Sequence, residues 1–206
     1  MAVISMIRNN PDALSPISKA FIKACRNPKP NPHKDPPCKE VDLNVPVSDI
    51  EQEIIKIKDL LVAHRDDASA GWSSFCIHGK SHDATREDDH YKDSRPHQWT
   101  EEAIKNMPKT IEWLKSLNYK SFERVRVMCL APKGFIDVHR DQAHSSLKGA
   151  VNVAITHPKG CKFYLEHHGE LQFTPGKSYS INLVNFHCVT NDSDQYRYHI
   201  IIHGTK

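Results

Sequence analysis

No stretch of the chain approaches the ~20 consecutive apolar residues that a membrane-spanning helix needs. The apolar start, Met1 to Ile7, is cut off by Arg8-Asn9-Asn10-Pro11, which leaves no secretory signal. There is no C-x-x-C pair. Six cysteines (Cys25, Cys38, Cys76, Cys129, Cys161 and Cys188) lie far apart, a spacing that favours reduced thiols over a secreted disulfide scaffold. The net charge is only +3, too small to argue for a nucleic-acid partner. These absences point to a cytoplasmic protein with no nucleic-acid or membrane partner; they are silent on oligomeric state. There is also no Gly-rich phosphate loop and no Asp-Phe-Gly. The tripeptide His139-Arg140-Asp141 is therefore not that of a kinase, whose Asn would fall where Ser146 stands.

What is present divides the chain in two. Residues 1–46 read as an N-terminal extension. It holds a short amphipathic helix over Ser15 to Cys25, then five prolines within 28–37 that exclude a helix and predict an extended arm. Residues 47–206 read as one domain. Ser48 and Glu51 have capping-box spacing, and Ile50, Ile54, Ile57 and Leu61 follow on one helical face. Trp72 to Ile77 reads as a strand and 78–98 as a polar, His-rich loop. Thr100 caps a helix and Pro108 starts another, with Ile111, Leu114 and Leu117 on its apolar side. From about 120 to 206, short β-branched and aromatic runs alternate with turns. Strands are expected at 122–130, 135–139, 149–155, 161–165, 171–173, 178–183 and 196–203. Helices first and strands after give an α+β chain whose core is a jelly roll, the double-stranded β-helix of cupins.

Within that core, His139 and Asp141 are two apart, so a strand aims them at one point. His187, brought in from another strand, completes a 2-His-1-carboxylate set. That set covers one face of an octahedral metal and leaves open positions, as in non-haem Fe(II) oxygenases. Ten residues on, Arg197 lies inside the last apolar strand. A guanidinium there is costly to bury unless paired, and it suits bidentate capture of a carboxylate. Of the remaining histidines, His64, His78, His82, His90 and His97 are expected in exposed loops, and His144, His157, His167 and His168 in exposed turns. His199 and His203 share a face with Arg197; His199 is a candidate pocket residue and His203 is expected in the core. Two other readings of the metal set stand beside the oxygenase: a metal-binding cupin-type isomerase, and a non-catalytic binding module. Neither has a fixed need for a carboxylate clamp at Arg197.

These residues resemble the aspartyl/asparaginyl β-hydroxylase branch of the Fe(II)/2-oxoglutarate oxygenases. The likeness runs from Met107-Pro108-Lys109-Thr110 to the C-terminus. It includes Pro132-Lys133-Gly134, His139, Pro158-Lys159-Gly160-Cys161-Lys162, Pro175-Gly176-Lys177, His187 and Arg197. The resemblance implies Fe(II) on His139, Asp141 and His187, and 2-oxoglutarate with its far carboxylate on Arg197. It implies O2 as the oxidant and hydroxylation of an unactivated C–H of a free or peptide-bound amino acid, with release of succinate and CO2. Asp141 departs from the type member of the branch, which lacks that carboxylate. It places the chain nearer stand-alone hydroxylases. The position where the family often carries His or Arg against the co-substrate holds Asn152 here, with Lys148 nearby. Arg126 is a second candidate for an anionic group.

Overall fold

The computed structural model describes residues 13–32, 36–64, 71–86, 93–141 and 150–206. Four positions singled out above, His90, His144, Ser146 and Lys148, lie outside them. Four α-helices are present among the described residues. Helix α1 (Pro16–Ala24) starts as its residues require: Ser15 caps it by accepting from the Ser18 amide, and Pro16 occupies the first turn. Helix α2 (Val47–Lys56) begins two residues earlier than the capping-box pattern predicts. Its N-cap is Pro46, with no side-chain cap, so Ser48 falls inside the first turn. Helices α3 (Glu101–Asn106) and α4 (Pro108–Ser116) follow as expected, Thr100 Oγ1 accepting from the Ala103 amide.

Among the described residues, twelve strands form two antiparallel sheets. The first group is β1 (Cys38–Val41), β2 (Val62–Ala63), β3 (Trp72–Gly79), β4 (Gln98–Trp99), β5 (Ser121–Leu130) and β6 (Phe135–His139). The second is β7 (Val151–Ala154), β8 (Cys161–Leu165), β9 (Gly169–Leu171), β10 (Ser178–Ile181), β11 (His187–Asn191) and β12 (Arg197–Thr205). The large sheet runs β1-β10-β7-β12-β5-β3-β2, with β4 paired to β3; the small sheet runs β6-β11-β8-β9. This is the jelly-roll core expected of the sequence. Three local expectations shift. The Pro-rich arm leads into a strand, β1, which pairs with β10 at the edge of the large sheet. The region 78–98 is not all loop, because β3 extends to Gly79 and β4 pairs back onto it. Strand β9 ends at Leu171, before the expected 171–173 segment, and Phe173 is instead buried between the sheets.

Alternation along β12 shows how the layers form. Tyr198, Ile200 and Ile202 face the helices, where they join Ile50, Ile54, Ile57, Met107, Leu114, Val125 and Val127. Arg197, His199, Ile201 and His203 take the other face, toward the barrel interior. There Ile201 meets Met128, Leu130 and Tyr179 from the large sheet and Ile136, Phe163, Leu165 and Val189 from the small one. Helix α1 covers the outside of the small sheet, packing Leu14, Phe21 and Ile22 around Cys25, Tyr164, Cys188 and Val138. One buried carboxylate joins the helical layer. Glu53 of α2 is 2 % exposed and accepts from the Lys109 amide, the Thr110 amide and Thr110 Oγ1. It thus caps the open N-terminus of α4, which has no side-chain cap of its own. All six cysteines are free thiols, and no described helix is long and apolar enough to cross a membrane.

Candidate metal centre

His139 ends β6 and His187 begins β11, and the two are cross-strand partners, so their rings meet at 4.2 Å between centroids. Asp141 lies two residues beyond β6 and is tied down by its amide, which donates to the Leu183 carbonyl just ahead of β11. The donor atoms of His139, Asp141 and His187 all lie within 4.8 Å of one another. His139 Nε2 is 3.8 Å from Asp141 Oδ1.

The imidazoles are oriented for coordination. His139 Nδ1 lies 2.8 Å from the Asp137 carbonyl, and His187 Nδ1 lies 3.1 Å from the Asn185 carbonyl. A carbonyl only accepts, so each Nδ1 carries the proton and each Nε2 keeps its lone pair for a metal. Two neutral imidazoles and one carboxylate on one face suit a divalent ion with open positions, so the residues present fit Fe(II). Phe163 stacks on His187 at 5.7 Å and 5°, and Trp72 lies 6.0 Å from the His139 ring.

Arg197 sits at the other end of the barrel. Strand β11 runs from His187 to Asn191, about 13 Å at 3.3 Å per residue. Asn191 Nδ2 donates there to the Leu130 and Ala131 carbonyls, beside Arg197, whose cross-strand partner is Leu130. An aromatic wall connects the two ends. Phe163 meets Phe173 edge-on at 5.5 Å; Phe173 in turn touches His199 at 4.6 Å and lies under the Arg197 guanidinium at 5.8 Å.

Arg197 is 3 % exposed, and no carboxylate among the described residues acts on it. Burial pushes its pKa down from the ordinary arginine value. Its Nε has no hydrogen-bond partner among the described residues. Its Nη2 is 2.8 Å from His199 Nδ1, and the Asn152 amide is 2.6 Å from the same nitrogen. Arginine can only donate, so His199 Nδ1 accepts and its proton is on Nε2. Nε2 then donates to His157 Nδ1 at 3.3 Å, and Asn152 Oδ1 lies against the other edge of the ring. Burial first, and then the Arg197 charge, hold His199 well below the usual histidine pKa and bring His157 down to about 4. Both rings are neutral at pH 7. The result is a buried cation surrounded by neutral donors and acceptors, a ready site for a carboxylate.

The expected residues therefore fall into separate groups. His139, Asp141 and His187 converge. Asn152 joins Arg197 rather than the metal end. Arg126 joins neither: it lies opposite Ile201, donating through Nη1 to the Thr85 carbonyl and contacting His203 through Nη2. His157 was expected in an exposed turn, yet it is partly buried against His199 and Phe173. His64 and His78 were expected in exposed loops and are buried, one on Ser74 Oγ and the other on the Glu123 carbonyl. Both correspond to the unexpected pairing of β2 and β4 onto β3, which draws flanking polar residues inward. The sequence signal for His157 was its place directly after the inward-facing β7.

A jelly roll presenting two histidines and a carboxylate to one point is the architecture of the 2-His-1-carboxylate oxygenases. Residues 47–206 match the Aspartyl/Asparaginyl beta-hydroxylase family, and the chain belongs to it. It is accordingly an oxygenase that works with Fe(II), 2-oxoglutarate and O2. The match begins well before the 107 at which the motif likeness starts. No curated protein matches the chain. Among solved structures, it is similar to a 2OG-Fe(II) oxygenase-family oxidoreductase from Burkholderia pseudomallei, with a TM-score of 0.50 and 10 % identity over 91 % of this chain and 92 % of that one. It is also similar to a prolyl hydroxylase from Trichoplax adhaerens in complex with a hypoxia inducible factor peptide fragment, with a TM-score of 0.51 and 13 % identity over 92 % and 89 %. At these identities the likeness is one of fold.

Proposed function

We propose that this protein hydroxylates an unactivated C–H of an amino acid, free or within a peptide, and releases succinate and CO2. In this reading His139, Asp141 and His187 hold the iron and Arg197 receives the far carboxylate of 2-oxoglutarate. The observation that carries it is the convergence of three donors within 4.8 Å, with both Nδ1 atoms turned to carbonyls. Bound together, Fe(II), 2-oxoglutarate and O2 supply the oxidising power for C–H hydroxylation.

The chain's own residues do the positioning. The Asp137 and Asn185 carbonyls fix the tautomers of the two histidines. His199 holds one arm of the Arg197 fork and leaves Nε toward a ligand. Asn152 and His157 hold His199 in turn. Phe163 and Phe173 wall the interior between the two ends, keep it dry and so strengthen each charge interaction inside it. No side-chain base is required.

The test is an anaerobic titration of Fe(II) and 2-oxoglutarate into the apo-protein, followed by their visible charge-transfer absorption. The band is expected in wild type and absent in His187→Ala. Tight metal binding with no band at any 2-oxoglutarate concentration would refute the assignment of the co-substrate site. The alternatives of a cupin-type isomerase or a binding module then return.

A further inference from the structure

Strand β6 is the edge of the small sheet, with β11 as its one neighbour. It also carries a bulge: His139 pairs with His187, but Ile136, three residues earlier, pairs with Val189, two residues later on β11. The extra residue lets Ile136 and His139 both face the interior despite their odd spacing. Residues 137 and 138 fall at the bulge and have partners outside β11.

Helix α1 supplies those partners. Ser18, 0 % exposed, accepts through Oγ from the Val138 amide at 2.8 Å and donates to Asp137 Oδ1 at 2.8 Å. The Ser15 amide donates to the same carboxylate oxygen at 3.1 Å, and Ser15 Oγ donates to Ser18 Oγ at 3.0 Å. The Ser18 hydroxyl is thereby saturated, one proton given and two lone pairs filled. The carbonyl of the same Asp137 accepts from His139 Nδ1. A continuous set of hydrogen bonds thus runs from the α1 cap, through the bulge, to the ring of His139. Helix α1 lies ahead of residue 47, where the family match begins. A helix that only covered apolar surface would not need a buried serine aimed at a backbone amide of the metal strand.

We infer that Ser18 and Asp137 are positioning residues for the metal centre: the N-terminal helix clamps the β6 bulge and so sets the orientation of His139. The inference rests on His139 being a metal ligand. The experiment titrates Co(II), a spectroscopic stand-in for Fe(II), into the full-length apo-protein and reads its ligand-field absorption, with thermal unfolding of each variant alongside. Ser18→Ala and Asp137→Ala are expected to weaken Co(II) by about ten- to a hundredfold, the usual cost of losing a partner that orients a metal-binding histidine. Asp137→Asn keeps an acceptor oxygen for Ser18 and is expected to bind nearly as wild type. Ile22→Ala removes packing alone; it should lower the unfolding midpoint and leave Co(II) affinity unchanged. Wild-type affinity in both Ser18→Ala and Asp137→Ala would overturn the clamp, as would an equal loss in Ile22→Ala. If wild type itself binds no Co(II), or His187→Ala binds it equally well, the metal assignment fails rather than the clamp alone.

Discussion

Replacing Arg197 with Met separates the role of this residue in binding from its role in stability. In the ligand-free protein the guanidinium is buried among neutral groups, with no carboxylate of the described residues acting on it. Exchanging a buried charge for an apolar side chain of similar length is often neutral, or stabilising by about 1–4 kcal/mol. For a chain of this size each kcal/mol moves the midpoint by about 2–4 °C. Arg197→Met should therefore unfold at the wild-type temperature or several degrees above it. Binding should change in the opposite direction. Removing one partner of a buried, hydrogen-bonded charge pair costs about 2–5 kcal/mol. At about 1.4 kcal/mol per tenfold, that weakens 2-oxoglutarate by about 30- to several-thousandfold. The assay is thermal unfolding with and without 2-oxoglutarate in the presence of Fe(II) and absence of O2. At a concentration of 100 times the wild-type Kd the wild type gains about 2.7 kcal/mol, and the variant should gain about 0.9 kcal/mol or less. Arg197→Lys, which keeps the charge and loses the fork, should fall between the two. A variant that loses several kcal/mol of ligand-free stability, yet binds 2-oxoglutarate within threefold of wild type, would refute the reasoning and make Arg197 a structural residue.

Asp141→Ala and His187→Ala should abolish Fe(II) binding measured by anaerobic titration, while Arg197→Ala should leave iron affinity intact and weaken 2-oxoglutarate; equal loss of iron in all three would contradict that division. Glu53→Ala should destabilise the fold by about 2–3 kcal/mol, because it exposes two backbone amides of α4 and a buried hydroxyl without a charged acceptor; chemical unfolding checks it, with iron affinity unchanged. His157 and His199 are neutral in the fold and would protonate on unfolding below about pH 6.5. Their folded pKa values are depressed, so the contribution is complete above pH 6.5 and is lost as pH falls toward 4. The expected slope is up to about 1.4 kcal/mol per pH unit for each group. Urea unfolding at pH 7.5, 6 and 5 measures it, and His157→Phe should reduce the slope.

Much of the core was legible because strands impose a period of two. That period set Arg197, His199, Ile201 and His203 against Tyr198, Ile200 and Ile202 before any coordinates were needed. The His139, Asp141 and His187 set was legible as a His-X-Asp followed by a distal His, although Asp141 lies past the end of β6 and is placed by its amide on the Leu183 carbonyl rather than by the strand period. What escaped depends on partners distant in sequence. Strand β1 is four residues long, with Lys39 and Glu40 at its centre, and reads as arm until β10 offers it a ladder. Glu53 reads as an ordinary exposed helix position until α4 starts 55 residues later without a cap. His157 follows a strand and precedes a proline, which signals a turn; only the tertiary approach of His199 makes it interior.

The β6 bulge is the instructive failure. In an unbulged strand Ile136 and His139 face opposite sides, so the sequence alone predicts that one of them leaves the interior. Both are inside, Ile136 in the core between the sheets and His139 against His187. A strict period would have sacrificed either a core contact or a ligand. The fold instead breaks the period within the ligand-bearing strand and satisfies the broken segment from α1. Local rules tend to fail where function needs a direction that regular structure does not supply. An apolar residue and a metal-binding histidine at odd spacing in one strand, with a serine-capped helix elsewhere in the chain, is a pattern from which such a bulge can be predicted. Deleting Val138 tests it: Ile136 and His139 then fall two apart on one face of a regular ladder, so His139 should still face His187 and bind metal, but about ten- to a hundredfold more weakly, because the α1 contact to the 138 amide and the Asp137 carbonyl on Nδ1 are lost; undiminished affinity would show that the bulged segment does not orient the ring.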